Sequence, residues 1–132
     1  MTDGREETRF DFLGGRTVEQ IWFWGETVRL VLTHDPDFEA ETYADVHVAD
    51  LFDRGEVSAR IDVGEAPEEA GAVLRLLRVR LVDASARDGV LTLLFDGGEE
   101  LRAYPSPDFE SWTVTGNEGT FQCLPGGDVD SL

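Results

Sequence analysis

Apolar and polar residues alternate along short stretches in the first half of the chain. The alternation runs through residues 16–32 and is most regular after Gly25-Glu26. Alternation of this kind is typical of strands with one buried face, and a glycine turn between two such strands predicts a hairpin. One or two short strands are also predicted between residues 33 and 50, and another over residues 57–63.

The second half of the chain carries a series of short apolar stretches separated by glycine-rich turns. The stretches cover residues 79–86, 90–95, 99–104, 112–115 and 120–124. Glycine supplies the positive φ angles that short hairpin turns require. This half of the chain is therefore predicted to be a β-meander.

One segment between the two halves has a helical pattern instead. Pro67 is followed by two glutamates, an arrangement that favours the first turn of a helix. Apolar residues then recur at helical spacing, at Ala70, Val73, Leu74 and Leu77. The pattern predicts one helix over about residues 66–77.

An internal repeat connects the two halves. Residues 16–32 resemble residues 80–95, and Pro36-Asp37-Phe38-Glu39 recurs as Pro107-Asp108-Phe109-Glu110. Duplication of a β-unit explains this order, and chance similarity in an acidic chain rich in Val and Leu explains it as well. The predicted fold is mainly β (α+β): two β-meander units that form a sheet or a partly open barrel with one helix. Residues 1–9 are predicted to be a flexible tail, and residues 10–132 a single β-rich domain.

Composition narrows the classes of function. The chain has 28 acidic and 11 basic residues, a formal net charge of −17, and every basic residue is an arginine. Nucleic acid and anionic lipid bind basic patches, so we expect neither as a partner. A basic protein partner would be attracted by this charge, and the acidity is also explained by solubility or by salt adaptation. The acidic first residues and the lack of a long apolar run predict a cytoplasmic protein.

The last third of the chain resembles a family of small, mainly β proteins of high-GC bacteria. The resemblance is carried by residues 89–98, by Phe109-Glu110-Ser111-Trp112 and by Cys123-Leu124-Pro125-Gly126-Gly127. Relatives often have Tyr in place of Phe109 and an aromatic residue after the Gly-Gly turn, where this chain has residues 128–132. The family has no established activity. An immunity-type role, in which the protein neutralises a toxin made beside it, is the hypothesis attached to the resemblance.

No catalytic residues, metal site or cofactor are predicted. A mixed N/O metal site could be built from His34 with Asp35 and Asp37, or from His47 with Asp45 and Asp50, but a solvated acidic edge is the preferred interpretation. Residues 35–46 lack the Gly and the bidentate Glu of a calcium loop. Cys123 is the single cysteine and has no basic neighbour in sequence that would activate it. The acidic stretch is interpreted as a solvated sheet edge.

Candidate partner-binding residues come from the aromatic and acidic positions. Trp22 and Trp24 share one face of a strand, and Phe23 takes the other. The proposed set is Trp22, Trp24, Asp35, Asp37, Glu39, Glu41, Glu110 and Trp112. We expect a non-enzymatic acidic binding protein, with immunity to a basic toxin as its concrete form. The alternative is a small-ligand- or metal-binding β-domain with a pocket near His34, His47, Glu110 and Cys123.

Overall fold

The computed structural model describes residues 7–33 and 41–132. The strands in these residues are β1 (Thr8–Arg9), β2 (Val18–Trp24), β3 (Thr27–Leu32), β4 (Thr42–Val46), β5 (Val48–Asp53), β6 (Glu56–Asp62), β7 (Leu81–Arg87), β8 (Val90–Phe95), β9 (Glu99–Ala103), β10 (Trp112–Gly116), β11 (Gly119–Cys123) and β12 (Val129–Ser131). A helix, α1 (Pro67–Ala70), and two 3-10 helices, Asp11–Leu13 and Gly71–Leu76, complete the described elements.

The strands form two antiparallel sheets of six strands each. Sheet 1 has the order β1-β7-β8-β9-β5-β6, and sheet 2 has the order β12-β11-β10-β4-β3-β2. The predicted mainly β class is confirmed, and within the described residues the sheets do not close into a barrel.

Alternation assigns one face of each sheet to the interior. In β3, Val28, Leu30 and Leu32 are buried, whereas Arg29 and Val31 lie on the outer face. The buried residues of both sheets belong to one hydrophobic core. The outer faces carry the polar and partly exposed residues from which a binding surface can be built.

The helix is shorter than predicted. One turn of α-helix over Pro67–Ala70 continues as a 3-10 helix to Leu76. Ala70, Val73 and Leu76 are buried at a spacing of three residues, which matches the 3.0-residue turn of a 3-10 helix. Leu74 and Leu77, which the α-helical pattern assigns to the buried face, are exposed.

Several strand predictions are confirmed, and the predicted meander is divided between the two sheets. The hairpin around Gly25-Glu26 and the strand near 57–63 form as β2–β3 and β6. The predicted meander stays in one sheet only from β7 to β9, because residues 104–111, with prolines at 105 and 107, cross to sheet 2. Thr8 and Arg9 belong to the predicted tail but pair with β7, where Asp83 binds the Arg9 guanidinium.

The order of strand pairing repeats along the chain. In the first unit, residues 17–62, β2–β3–β4 enter sheet 2 and the β5–β6 hairpin enters sheet 1. In the second unit, residues 80–123, β7–β8–β9 enter sheet 1 and the β10–β11 hairpin enters sheet 2. Both β2 and β7 have a bulge directly after their first paired residue, Val18 and Leu81. The sequence repeat thus has a counterpart in the fold. Each unit forms three strands of one sheet, and its hairpin pairs with the three strands of the other unit.

Candidate functional site

The outer face of sheet 2 carries two exposed tryptophans near its β2 edge. Trp22 and Trp24 are 46% and 45% exposed, and their ring centroids lie 6.4 Å apart in a T-shaped arrangement. Phe23 points to the opposite side of the strand and is also exposed. Large aromatic side chains with this much accessible surface are typical anchors of protein interfaces.

An arginine joins the tryptophans to the next strands. The guanidinium carbon of Arg29 lies 3.7 Å from the ring centroid of Tyr43 and 4.7 Å from that of Trp24. Its Nε and Nη2 donate hydrogen bonds of 2.7 and 2.9 Å to the two carboxylate oxygens of Asp45. This pairing raises the pKa of Arg29, although its partial burial acts in the opposite direction. We call Trp22, Trp24, Arg29, Tyr43 and Asp45 the aromatic face.

A hollow of about 200 Å³ adjoins the aromatic face. Its lining includes Trp22 and Tyr43 together with the carboxylate side chains Glu19 and Glu41, which are both exposed. Among the described residues Arg29 forms its ion pair with Asp45, and neither Glu19 nor Glu41 is in an ion pair. Aromatic walls beside carboxylates suit an arginine or lysine side chain.

The predicted acidic set is only partly placed by the structure. Glu41 borders the hollow. His34, Asp35, Asp37 and Glu39 lie outside the described residues. Glu110 is exposed, but it lines neither this hollow nor the cleft described below.

Trp112 cannot make the predicted partner contact in this structure. It is 1% exposed, and its indole N–H donates a 2.9 Å hydrogen bond to the carbonyl oxygen of Gly89. Strand β10 lies inside sheet 2 between β4 and β11, and the Trp112 side chain faces the core. Alternation predicts which residues share a face, but it does not say which face is buried.

A second concave site lies where the chain crosses between the sheets. This cleft has a volume of about 510 Å³ and is bounded by His47 and by residues of the 104–111 crossing. The His47 ring packs edge-on against Phe109, with 5.2 Å between ring centroids. Asp50 accepts hydrogen bonds from the Tyr104 hydroxyl, at 2.8 Å, and from Arg60, at 3.0 Å. Burial and the bond to Asp50 raise the pKa of Tyr104, so the phenol stays protonated at neutral pH.

One wall of the cleft contains the buried hydroxyl of Ser111. Ser111 is 2% exposed, and its Oγ has no hydrogen bond of standard geometry within residues 7–33 and 41–132. Cys123 is fully buried and does not line the cleft, contrary to the pocket expected from the sequence. Burial raises the pKa of its thiol, and the nearby Ser111 hydroxyl opposes this shift only in part.

Sequence reasoning missed the residues that connect the tryptophans. Arg29 is paired across the strands with both Trp22 and Asp45. These pairings follow from the register of β2, β3 and β4, and the β3–β4 register could not be read across residues 33–41. The alternation within β3 was the available signal, since it places Arg29 on the outer face.

The fold and the surface together define an acidic two-sheet β domain with an exposed aromatic face near one sheet edge. None of its described helices has the length and apolar character of a membrane span. The chain belongs to a family of unknown function (DUF6188), which matches residues 11–132. Comparison with curated proteins and comparison with solved structures give no match.

Proposed function

We propose that this protein is a non-enzymatic binding protein that docks a basic protein partner on the aromatic face of sheet 2. The observation that carries the proposal is the hollow beside Trp22, where aromatic rings and the carboxylates of Glu19 and Glu41 meet on an accessible surface. A lysine or arginine of the partner would enter this hollow, and the tryptophans would be covered around it.

The tryptophans and the net charge contribute differently to binding: the first to affinity and the second mainly to the association rate. Burying the exposed part of one tryptophan removes on the order of 100 Å² from water, which is about 2–3 kcal/mol. Two such rings provide the core of a binding surface. The net charge of −17 mainly increases the association rate and disfavours acidic competitors.

Immunity to a toxin is the concrete form of this proposal. A basic toxin made in the same cell would be blocked by a tight complex, and the acidic surface would accelerate capture. This form is the hypothesis attached to the resemblance of residues 89–127, and the acidic charge of the chain agrees with it. The proposal requires that the gene beside this one encodes a basic protein that binds the chain.

The role of the hollow is tested by removing its two charges. Glu19→Gln/Glu41→Gln is expected to weaken binding of the adjacent gene product about tenfold, because two charge pairs with the partner are lost. Isothermal titration calorimetry measures the dissociation constant at about 50 mM and about 500 mM salt, and binding should be weaker at the higher concentration.

A matched control separates this site from the overall charge. Glu56→Gln/Glu68→Gln removes the same charge from exposed positions in β6 and α1. It should change the dissociation constant less than about twofold, as expected for charges outside the contact. Equal effects of the two double variants would contradict docking at the hollow.

The cleft near His47 supports a second candidate function, binding of a small molecule. The specific observation is the buried Ser111 hydroxyl, which a ligand with a hydrogen-bonding group and an apolar ring could satisfy. We propose an organic ligand for this site, because the cleft is lined by aromatic and proline side chains such as Tyr104, Pro105 and Phe109.

The Ser111→Ala variant tests this second candidate. Without ligand its free energy of unfolding is expected to stay within about 1 kcal/mol of the wild type, because among the described residues the hydroxyl has no standard hydrogen bond and only a weak contact with the Cys123 thiol. A fragment that raises the melting temperature of the wild type should lose most of that effect in the variant. A clear loss of stability on substitution would show that the hydroxyl has a structural partner and would contradict the ligand role.

A further inference from the structure

The outermost strands of the two sheets differ in how they are protected. Strands β1 and β12 have only two and three residues. Strand β6 is covered by α1, and the Glu69 carboxylate accepts a 2.6 Å hydrogen bond from the backbone N–H of Arg60. Strand β2 has seven residues, and beyond Val18 its paired strand among the described residues is β3 alone. A long edge strand with unoccupied backbone groups is a template for pairing with another chain.

The internal repeat shows that an equivalent edge is occupied elsewhere in the molecule. Strand β7, the counterpart of β2, pairs on its outer side with β1, through Thr8 with Ala86 and Arg9 with Ser85. The next residue, Phe10, donates its N–H to the carbonyl oxygen of Ala84 at 2.9 Å. Strand β7 is thus covered by three consecutive residues that precede the first unit.

Residues of β2 and β7 can be matched by counting from the bulge of each strand, which follows Val18 in β2 and Leu81 in β7. Ala84, Ser85 and Ala86 correspond to Ile21, Trp22 and Phe23. The residues that precede the second unit, 67–76, form α1 and a 3-10 helix instead of a strand along β2. Trp22 and Phe23 remain exposed at the positions where β7 is covered by β1.

The direction of the backbone groups follows from the observed bonds. The carbonyl oxygen of Val18 accepts from Arg78 N, and its N–H donates to the Val79 carbonyl, so both groups of Val18 point away from β3. In β7 the Leu81 N–H and carbonyl oxygen likewise bond to Arg16 and Gly15. Beyond the bulge, Ala84 points toward β1, and the equivalent Ile21 and Phe23 therefore direct their N–H and C=O groups to the open edge.

We propose that β2 accepts an extended basic segment of the partner as an added antiparallel strand at Ile21–Phe23. The proposal rests on the proposed function and states how the partner binds. In an added strand, residues opposite Trp22 and Trp24 lie on the outer face beside Glu19, where arginine side chains stack on the rings and pair with the carboxylate. Residues opposite Ile21 and Phe23 lie on the other face and are apolar. The segment has a basic–apolar alternation, and a second copy of this chain, with a net charge of −17, is disfavoured as the occupant.

A synthetic peptide of about eleven residues that alternates Arg and Val, with blocked ends, is the probe. Phe23→Pro removes the N–H that points to the open edge, and an edge strand tolerates proline at such a position. We expect this variant to bind the peptide at least about tenfold more weakly than the wild type, because main-chain hydrogen bonds are lost and the proline ring obstructs pairing. Phe23→Ala, which keeps the N–H, should lose less than about threefold. Equal binding by Phe23→Pro and the wild type would overturn the proposal.

Amide hydrogen exchange in the wild-type protein gives a second readout that does not depend on the folding of the proline variant. Addition of the peptide should slow exchange at Ile21 and Phe23 and leave Trp22 and Trp24, which pair with β3, unchanged. Unchanged exchange at Ile21 and Phe23 with the peptide bound would overturn strand addition. If in that case Trp22→Ala/Trp24→Ala still weakened binding of the partner, the proposed function would hold and only strand addition would be rejected. Protection of these amides in a dimer without peptide would assign the edge to a second copy and also overturn the proposal.

Discussion

Trp22→Ala/Trp24→Ala is expected to weaken binding of the basic partner by about two to three orders of magnitude. Each ring is nearly half exposed in the isolated protein, so each has accessible surface to bury in the complex. Truncation of such an aromatic anchor costs about 2 kcal/mol, and the two losses act on one surface. Arg29 stays on the aromatic face through Asp45 and Tyr43. Isothermal titration calorimetry measures the change.

Two controls make this result specific. Val57→Ala/Leu74→Ala removes apolar side chains that are 60% and 51% exposed outside the aromatic face. This variant should bind within about threefold of the wild type, as non-contact positions do. More than half of each tryptophan side chain is buried, so Trp22→Ala/Trp24→Ala is expected to lower the free energy of unfolding by about 2–4 kcal/mol. Circular dichroism should therefore show that the variant is folded at the temperature of the titration. An equal loss of affinity in both double variants would contradict a site at the tryptophans.

Gly89→Ala is expected to lower the free energy of unfolding by about 3 kcal/mol. Gly89 has a φ angle of 78°, which costs a residue with a side chain about 1–2 kcal/mol. An added Cβ would also lie 2.7 Å from Gly127 Cα and 2.9 Å from Gly127 O, so the backbone must shift. Overpacking of this kind costs about 1–3 kcal/mol.

Gly55→Ala is the matched control for Gly89→Ala. Gly55 has a φ angle of 87°, and an added Cβ would meet no atom within 4 Å. Urea denaturation should show a loss of only about 1 kcal/mol, which is the backbone contribution alone. If the two variants lost the same stability, crowding between Gly89 and Gly127 would have no energetic importance.

The Gly89 contacts give a structural reason for the Cys-x-Pro-Gly-Gly turn. Gly127 packs against the β7–β8 turn, and the Gly89 carbonyl accepts from Trp112 Nε1. The buried Cys123 thiol also donates a weak hydrogen bond to the Gly89 carbonyl oxygen, with 3.7 Å between Sγ and the oxygen. The residues that carry the family resemblance at this end of the chain therefore join a hairpin of sheet 1 to sheet 2. Their role in the structure is packing, and the aromatic face lies elsewhere.

Local patterns predicted the strands better than they predicted how the strands assemble. The hairpin at Gly25-Glu26 follows from alternation and turn chemistry within a few residues. The crossings of the chain between sheets, after β1, after β4 and after β9, depend on contacts between distant residues. The prediction of one continuous α-helix was wrong because local spacing does not determine which residues the core buries. Leu74 and Leu77 have α-helical spacing, but Val73 and Leu76 are the buried residues.

The candidate site was predictable in part. The shared face of Trp22 and Trp24 follows from their spacing of two residues in a strand. Trp112 is buried because it lies on the core face of β10, opposite Val46, and the local pattern does not say which face of that strand is buried. Arg29 and Asp45 meet because β3 and β4 pair in one register across residues 33–41. The difference between the covered edge of β7 and the open edge of β2 depends on the pairing of β1 with β7, which no local pattern predicts.

Acrylamide quenching of tryptophan emission tests the central claim most directly. Of the three tryptophans, Trp22 and Trp24 are nearly half exposed, whereas Trp112 is 1% exposed. The reference is Trp22→Phe/Trp24→Phe, in which only Trp112 emits. We predict that a saturating amount of the basic product of the adjacent gene reduces the quenching of the wild type to the level of this variant, once the partner's own emission is subtracted. A complex in which the tryptophans of this chain are quenched as strongly as in the isolated protein would contradict docking on the aromatic face.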